Sequence, residues 1–141
     1  MRENGFSHYE ISSFSKGGFE SKHNLNYWEC GEYFGFGAGA HSFFGGKRFS
    51  AVADVNEFIK RSYTSLFAPT DFEEVDFLTP EEEAEERIML GLRTAKGAVI
   101  PESAYEYAKK IADLGYGVFE DGVLRLNSKG FRVSNSIIAE I

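Results

Sequence analysis

The sequence is most informative first in what it lacks. Of its 141 residues only Cys30 is a cysteine, so no disulfide can close within the chain, and the small disulfide-built secreted scaffold is excluded. An intracellular, cytoplasmic setting is therefore expected. No apolar run approaches the length of a membrane span, and neither a transmembrane segment nor a signal peptide is expected. Basic residues are outnumbered, 15 Lys and Arg against 22 Asp and Glu, for a net charge of -7. That balance gives no electrostatic footprint for nucleic acid or for anionic lipid. What is present instead is aromatic: Phe alone occurs 14 times, and so apolar a chain of this length folds around a core, as one domain or two small ones.

Residues 8–14, HYEISSF, alternate, with Tyr9 and Ile11 on one face and His8, Glu10 and Ser12 on the other. This fits a half-buried strand with a wet side, or a barrel strand whose polar residues line a cavity. Before it, residues 1–7 run through a turn-like Glu3-Asn4-Gly5 straight into that strand, as in a chain that starts inside a larger fold. Gly17-Gly18 marks a loop that delivers the chain to HNLNYW, residues 23–28. Residues 33–44 are expected to form a second strand. Gly35, Gly37 and Gly39 alternate along it, as if a helix, a second backbone or a ligand lay against that face. Gly45-Gly46 predicts a hairpin, and Asp54 a cap for a helix over 54–66 carrying Val55, Phe58, Ile59 and Ser62.

A domain boundary is expected near Asp71, after Pro69 and the cap-like Thr70-Asp71. Thr79-Pro80-Glu81-Glu82 then reads as a capping box opening a helix. Its apolar stripe, Ala84, Ile88, Gly91, Leu92 and Ala95, runs to Gly97. A second helix from Pro101 turns Ala104, Ala108, Ile111 and Leu114 inward and stops at Gly115. Asp121-Gly122 predicts a hairpin, and Ser128 caps a last helix that buries Val133, Ile137, Ile138 and Ile141. Helix, helix, hairpin, helix is the order of a winged-helix module. Lys109, Lys110, Lys129 and Arg132 are nevertheless too few, and too mixed with carboxylates, for phosphate contact.

Two stretches hold residues that a packed core does not require: HNLNYW, and GFGAGAHS over 35–42. The imidazole of His23 can ligate a metal or a haem iron, with Tyr27 and Trp28 near enough to cover a flat ring. Alternatively its nitrogens are satisfied by backbone. His41 stands at the end of the glycine-rich strand, either as a site residue or as a structural hydrogen-bonder. His8, His23, His41 and Cys30 show no zinc spacing. The G-x-G-x-G of residues 35–39 lacks the spacing and the following helix of a dinucleotide fingerprint. Ser12 and Ser13 have no base placed beside them by a motif.

HYEISSF, HNLNYW, GFGAGAHS, LTPEEEAEERIMLGLRT and the closing LRLNSKG and VSNSIIAE, taken in order, closely resemble the carboxyl-terminal part of the oxygen-independent coproporphyrinogen III oxidase-like proteins. These belong to the radical S-adenosylmethionine family, and the HNxxYW signature resembles that of its haem-chaperone branch. The resemblance implies an α+β chain. Residues 1–70 would be late strands and a helix of a partial (β/α) radical-SAM barrel, and 71–141 a small winged-helix-like domain. It further implies haem binding through a haem-contacting loop, with His23 on the iron and Asn24, Tyr27 and Trp28 completing the motif, a lid formed by the second domain, and a cavity lined by Glu10, Gly37, Gly39 and His41. Haem or another porphyrin and the N-terminal part of the same barrel would be the partners.

The family's CxxxCxxC loop is absent, and one cysteine cannot supply the three thiolates of a [4Fe-4S] cluster. S-adenosylmethionine and the cluster are therefore expected in the full-length parent, not in this chain, which cannot run the radical reaction alone. Two further readings remain: part of a true coproporphyrinogen III oxidase, or a non-catalytic interaction module using the acidic 81–86 helix. Strands without neighbours would also promote self-association through their edges.

Overall fold

The computed structural model describes residues 2–62 and 72–141. They group into two compact units, Met1–Cys30 with Glu83–Ile141, and Gly31–Glu82. The content is mixed helix and strand, as an α+β chain requires. The expected boundary near Asp71 and the cap-like Thr70 and Asp71 lie outside the described residues.

The first unit opens with a hairpin, β1 (Ser7–Glu10) paired antiparallel with β2 (Ser13–Ser15). The sequence predicted one strand here. The chain reverses at Ile11 and Ser12 because Glu10 turns its carboxylate back, Oε2 accepting from the Ser12 amide at 3.0 Å and the Ser12 hydroxyl at 3.1 Å. Such a local side-chain-to-backbone bond offers the chain a turn in place of a continuing ladder. The hairpin is tied to the segment after α3 (Pro80–Gly91) by Ile11 N donating to Arg93 O at 2.8 Å and Ala95 N to Tyr9 O at 2.9 Å.

Next, HNLNYW is helical and not a loop: it forms α1 (Lys22–Trp28). Ser21 caps the helix, its Oγ accepting from Asn24 N at 3.3 Å, and no Gly or Pro interrupts the next eight residues. Helix α3 starts with the predicted capping box: Thr79 N donates to Glu82 Oε2 at 2.8 Å and Glu82 N to Thr79 Oγ1 at 3.2 Å. It stops at Gly91, short of Gly97, because Thr94 bonds back to the Gly91 carbonyl through its amide and its hydroxyl, both at 2.9 Å.

The rest of the unit is a three-stranded antiparallel sheet ordered β6 (Ala98–Val99), β8 (Val123–Leu126), β7 (Gly117–Glu120), covered by α4 (Tyr105–Asp113), α5 (Ser128–Phe131) and α6 (Ser134–Ile138). The β7–β8 turn is the predicted Asp121-Gly122 pair, both at positive φ, +51° and +76°. Gly97, at φ +75°, lets β6 reach β8: a Cβ there would stand 2.2 Å from Leu124 O. Leu92, Ile100, Ala108, Ile111, Leu124 and Phe131 lead the buried core.

Three details depart from the helical stripes read in the sequence. Leu114 is 59% exposed, since α4 ends at Asp113 and Gly115 at φ +76° swings the chain away. Asn127, not Ser128, caps α5, its Oδ1 accepting from Lys129 N at 2.8 Å and Gly130 N at 3.2 Å. The last helix is split at Arg132 and Val133, leaving Val133 exposed while Ile137 stays buried.

The second unit holds the sheet β3 (His41–Phe44), β4 (Lys47–Ala51), β5 (Phe72–Phe77) and the helix α2 (Val55–Ser62). Gly45 and Gly46, at φ +59° and +71°, make the expected hairpin turn. Asp54 caps α2 as predicted, its Oδ1 accepting from Glu57 N at 2.9 Å. Residues beyond Ser62 in the expected 54–66 helix lie outside the described residues. The expected strand over 33–44 begins only at His41. Before it, Tyr33 makes a single bridge with Phe43, and Gly37 at φ +114° and Gly39 at φ +70° fold the glycine-rich segment back on itself.

Candidate functional site

Helical geometry explains the spacing of HNLNYW. Residues four apart share a face of a helix, so His23 pairs with Tyr27 and Asn24 with Trp28. The first pair is in contact: the rings of His23 and Tyr27 meet edge to face, centroids 4.8 Å apart and planes 84° apart. His23 is exposed, and among the described residues no hydrogen bond engages its ring nitrogens. The alternative in which backbone groups satisfy this imidazole is therefore not what the structure shows. Tyr27 is 39% exposed on the same side, so the pair presents an imidazole edge beside an aromatic surface.

Trp28 faces the other way. With Cys30, Ile88, Ala98, Ile100 and Pro101 it lines an apolar groove of about 570 Å³. Lys96 is paired with Glu29 at one point on this groove. Arg87, also on the groove, is held by Glu83 at 2.6 Å, and that bond pushes the guanidinium pKa up from its ordinary value.

The remaining predicted site residues are dispersed. Glu10 is 1% exposed, and its carboxylate oxygen is committed to Ser12. Gly37, Gly39 and His41 belong to the second unit. There a Cβ on Gly37 would meet open space, one on Gly39 would sit 3.7 Å from the Ala53 backbone, and His41 is an exposed residue opening β3. At Gly35 a Cβ would stand 2.2 Å from His41 O, so what lies close there is the segment's own backbone folded back, not the separate element or ligand that the sequence suggested.

One arrangement was not legible in the sequence. His8 lies in a second groove, of about 260 Å³, with Ile11, Phe14, Ser128, Phe131 and Arg132. Its ring stacks on Phe14, centroids 4.1 Å apart and planes 10° apart, and meets Phe131 edge-on at 4.8 Å. Nε2 is 3.1 Å from Ile11 O and Nδ1 is 3.3 Å from Ser128 Oγ. His8 and Ser128 are 120 positions apart, so no local motif could have joined them. Among the described residues no group of three His, Cys, Asp or Glu is placed to hold a metal ion. Nor is any helix among them long and apolar enough to cross a membrane.

Comparison with known proteins gives relatives across most of the chain. It is 42% identical over 121 residues to the "Heme chaperone HemW" of Bacillus subtilis, covering 86% of this chain and 31% of that protein. It is 33% identical over 151 aligned positions to the protein of the same name from Lactococcus lactis, covering 97% of this chain and 38% of the relative. A shorter match, 52% identical over 44 residues, covers 31% of this chain and 10% of the bovine mitochondrial "Radical S-adenosyl methionine domain-containing protein 1". The chain thus spans about a third of the length of the first two relatives. No family model and no solved structure matches it.

Proposed function

We propose, for a chain that belongs to the haem-chaperone branch of the radical S-adenosylmethionine family, that it supplies the haem-contacting element of a larger cytoplasmic protein. The observation that carries this reading is the exposed His23 imidazole, with its nitrogens uncommitted and Tyr27 packed edge-on beside it. An imidazole nitrogen is an axial ligand for haem iron, and an aromatic neighbour covers part of a flat apolar ring. Haem is the cargo here, and the contacting element is the helix α1 instead of the loop expected from the sequence.

In the full-length parent, residues 1–70 would complete the radical-SAM barrel and 71–141 would form the winged-helix-like lid, with residues 1–30 as the part of the barrel packed into one compact unit with 83–141. The helix, helix, hairpin, helix order supports the second assignment, with β6 added to the hairpin as a third strand. This chain does not fit the cluster. A [4Fe-4S] centre takes thiolate ligands, and Cys30 is the chain's one cysteine. S-adenosylmethionine and the cluster therefore belong to other parts of the parent, and no radical step is assigned to these residues. The test is a titration of the 141-residue chain with haemin, following the Soret band. A saturable shift in the wild type that disappears in His23→Ala supports the reading. Spectra that are alike for the two proteins remove it.

A further inference from the structure

We infer that Ser128 is an activated nucleophile, with His8 as its general base, and that the groove around them hydrolyses small apolar esters. The argument starts from tautomers. Ile11 O, 3.1 Å from Nε2, can only accept, so the proton of a neutral His8 ring resides on Nε2. Nδ1, 3.3 Å from Ser128 Oγ, is then an acceptor, and the hydroxyl donates to it. A nucleophile bonded to a base, with the base oriented by a third group, is the arrangement that activates a serine. The stack of His8 on Phe14 and its edge contact with Phe131 fix the ring plane that this alignment needs.

The surroundings supply the other parts. Ile11, Phe14 and Phe131 give the groove an apolar wall, and about 260 Å³ suits a short acyl or aryl group. The Lys129 and Gly130 amides are taken by Asn127 Oδ1, so they are not available to a developing oxyanion. Arg132 is. It follows Ser128 by four positions in helical backbone, φ -68° and ψ -22°, and therefore shares its face. It lines the same groove, and among the described residues no ion pair holds it. A cation at the point where negative charge develops stabilises the transition state.

In the reaction Ser128 Oγ bonds to the ester carbonyl carbon while its proton passes to Nδ1, and the carbonyl electron pair moves onto the oxygen facing Arg132. When that pair returns, the bond to the leaving oxygen breaks, and the leaving oxygen takes the proton from Nδ1. Water, activated by the same nitrogen, then releases the acid and restores the serine.

The experiment uses the whole chain and 4-nitrophenyl butyrate, with mass mapping of the acyl adduct. A burst of nitrophenol stoichiometric with protein, and an adduct on Ser128, are expected. Ser128→Ala should lose both, and His8→Gln, which keeps a side-chain donor for Ile11 O, should slow acylation about 100-fold or more. Adducts confined to lysine or histidine, no burst, or an undiminished burst in Ser128→Ala would overturn the proposal. Labelling of wild-type Ser128 by a fluorophosphonate keeps the test decisive should His8→Gln fail to fold.

Discussion

The sequence places Ile111 and Leu114 on one inward stripe, and the structure separates them, which makes a paired truncation informative. Ile111 is 5% exposed within the core of the first unit, whereas Leu114 is 59% exposed at the end of α4. Replacing a buried isoleucine by alanine loses its transfer free energy and leaves a cavity, together costing about 2–5 kcal/mol. Truncating a mostly exposed leucine away from special backbone geometry costs about 0.5 kcal/mol or less. Set against a total stability of about 5–15 kcal/mol for a folded domain, the first substitution is severe and the second negligible. Trp28, the chain's one tryptophan, lies in the same unit, so urea unfolding followed by its fluorescence reports on the relevant core. The midpoint should fall markedly for Ile111→Ala and stay put for Leu114→Ala. Equal losses in the two variants would refute the placement of Leu114, and with it the end of α4.

Other outcomes are equally specific. Asn127→Ala should destabilise the first unit by about 1 kcal/mol through loss of its cap, while Ser128→Ala, the cap expected from sequence, should leave thermal stability within about 0.5 kcal/mol. Thermal melts decide between them. Gly97→Ala forces a Cβ to 2.2 Å from Leu124 O at φ +75°, so exchange protection of the β6–β8 amides should collapse. Glu82 has its pKa lowered by hydrogen bonds from the Thr79 backbone and then from its side chain. A carboxylate depressed in the folded state contributes stability above its unfolded pKa and loses it as pH falls through the folded value. Helical content near α3, followed by amide chemical shifts, should therefore decline on acidification below the ordinary carboxylate range, and Glu82→Gln, which has no carboxyl to titrate, should remove that pH dependence.

What the sequence disclosed and what it withheld follow from the range of the interactions involved. Turns and caps set by adjacent residues were readable: Gly45-Gly46, Asp121-Gly122, Asp54 over Glu57, and the reciprocal Thr79 and Glu82 bonds all stand where local chemistry puts them. The apolar alternation of HYEISSF was readable too, but Glu10 closes on Ser12 and breaks the strand. Period-two patterning carries no information about a carboxylate that turns back on its own backbone. The glycine-rich stretch misled in the same way, because three small residues allow folding back as readily as close approach by another element. As for the site, the i, i+4 relation of His23 and Tyr27 was implicit in the motif and became visible once Ser21 was seen to start a helix. The His8 and Ser128 pair joins the two ends of the sequence, where no spacing rule applies.

The central claim is that His23 ligates the iron of bound haem, and chemical rescue tests it most directly. His23→Gly leaves a hole the size of the ring, and free imidazole can enter it. The account predicts that haemin added to this variant gives an altered Soret band and that millimolar imidazole restores the wild-type spectrum. A wild-type spectrum from His23→Gly without imidazole would contradict it.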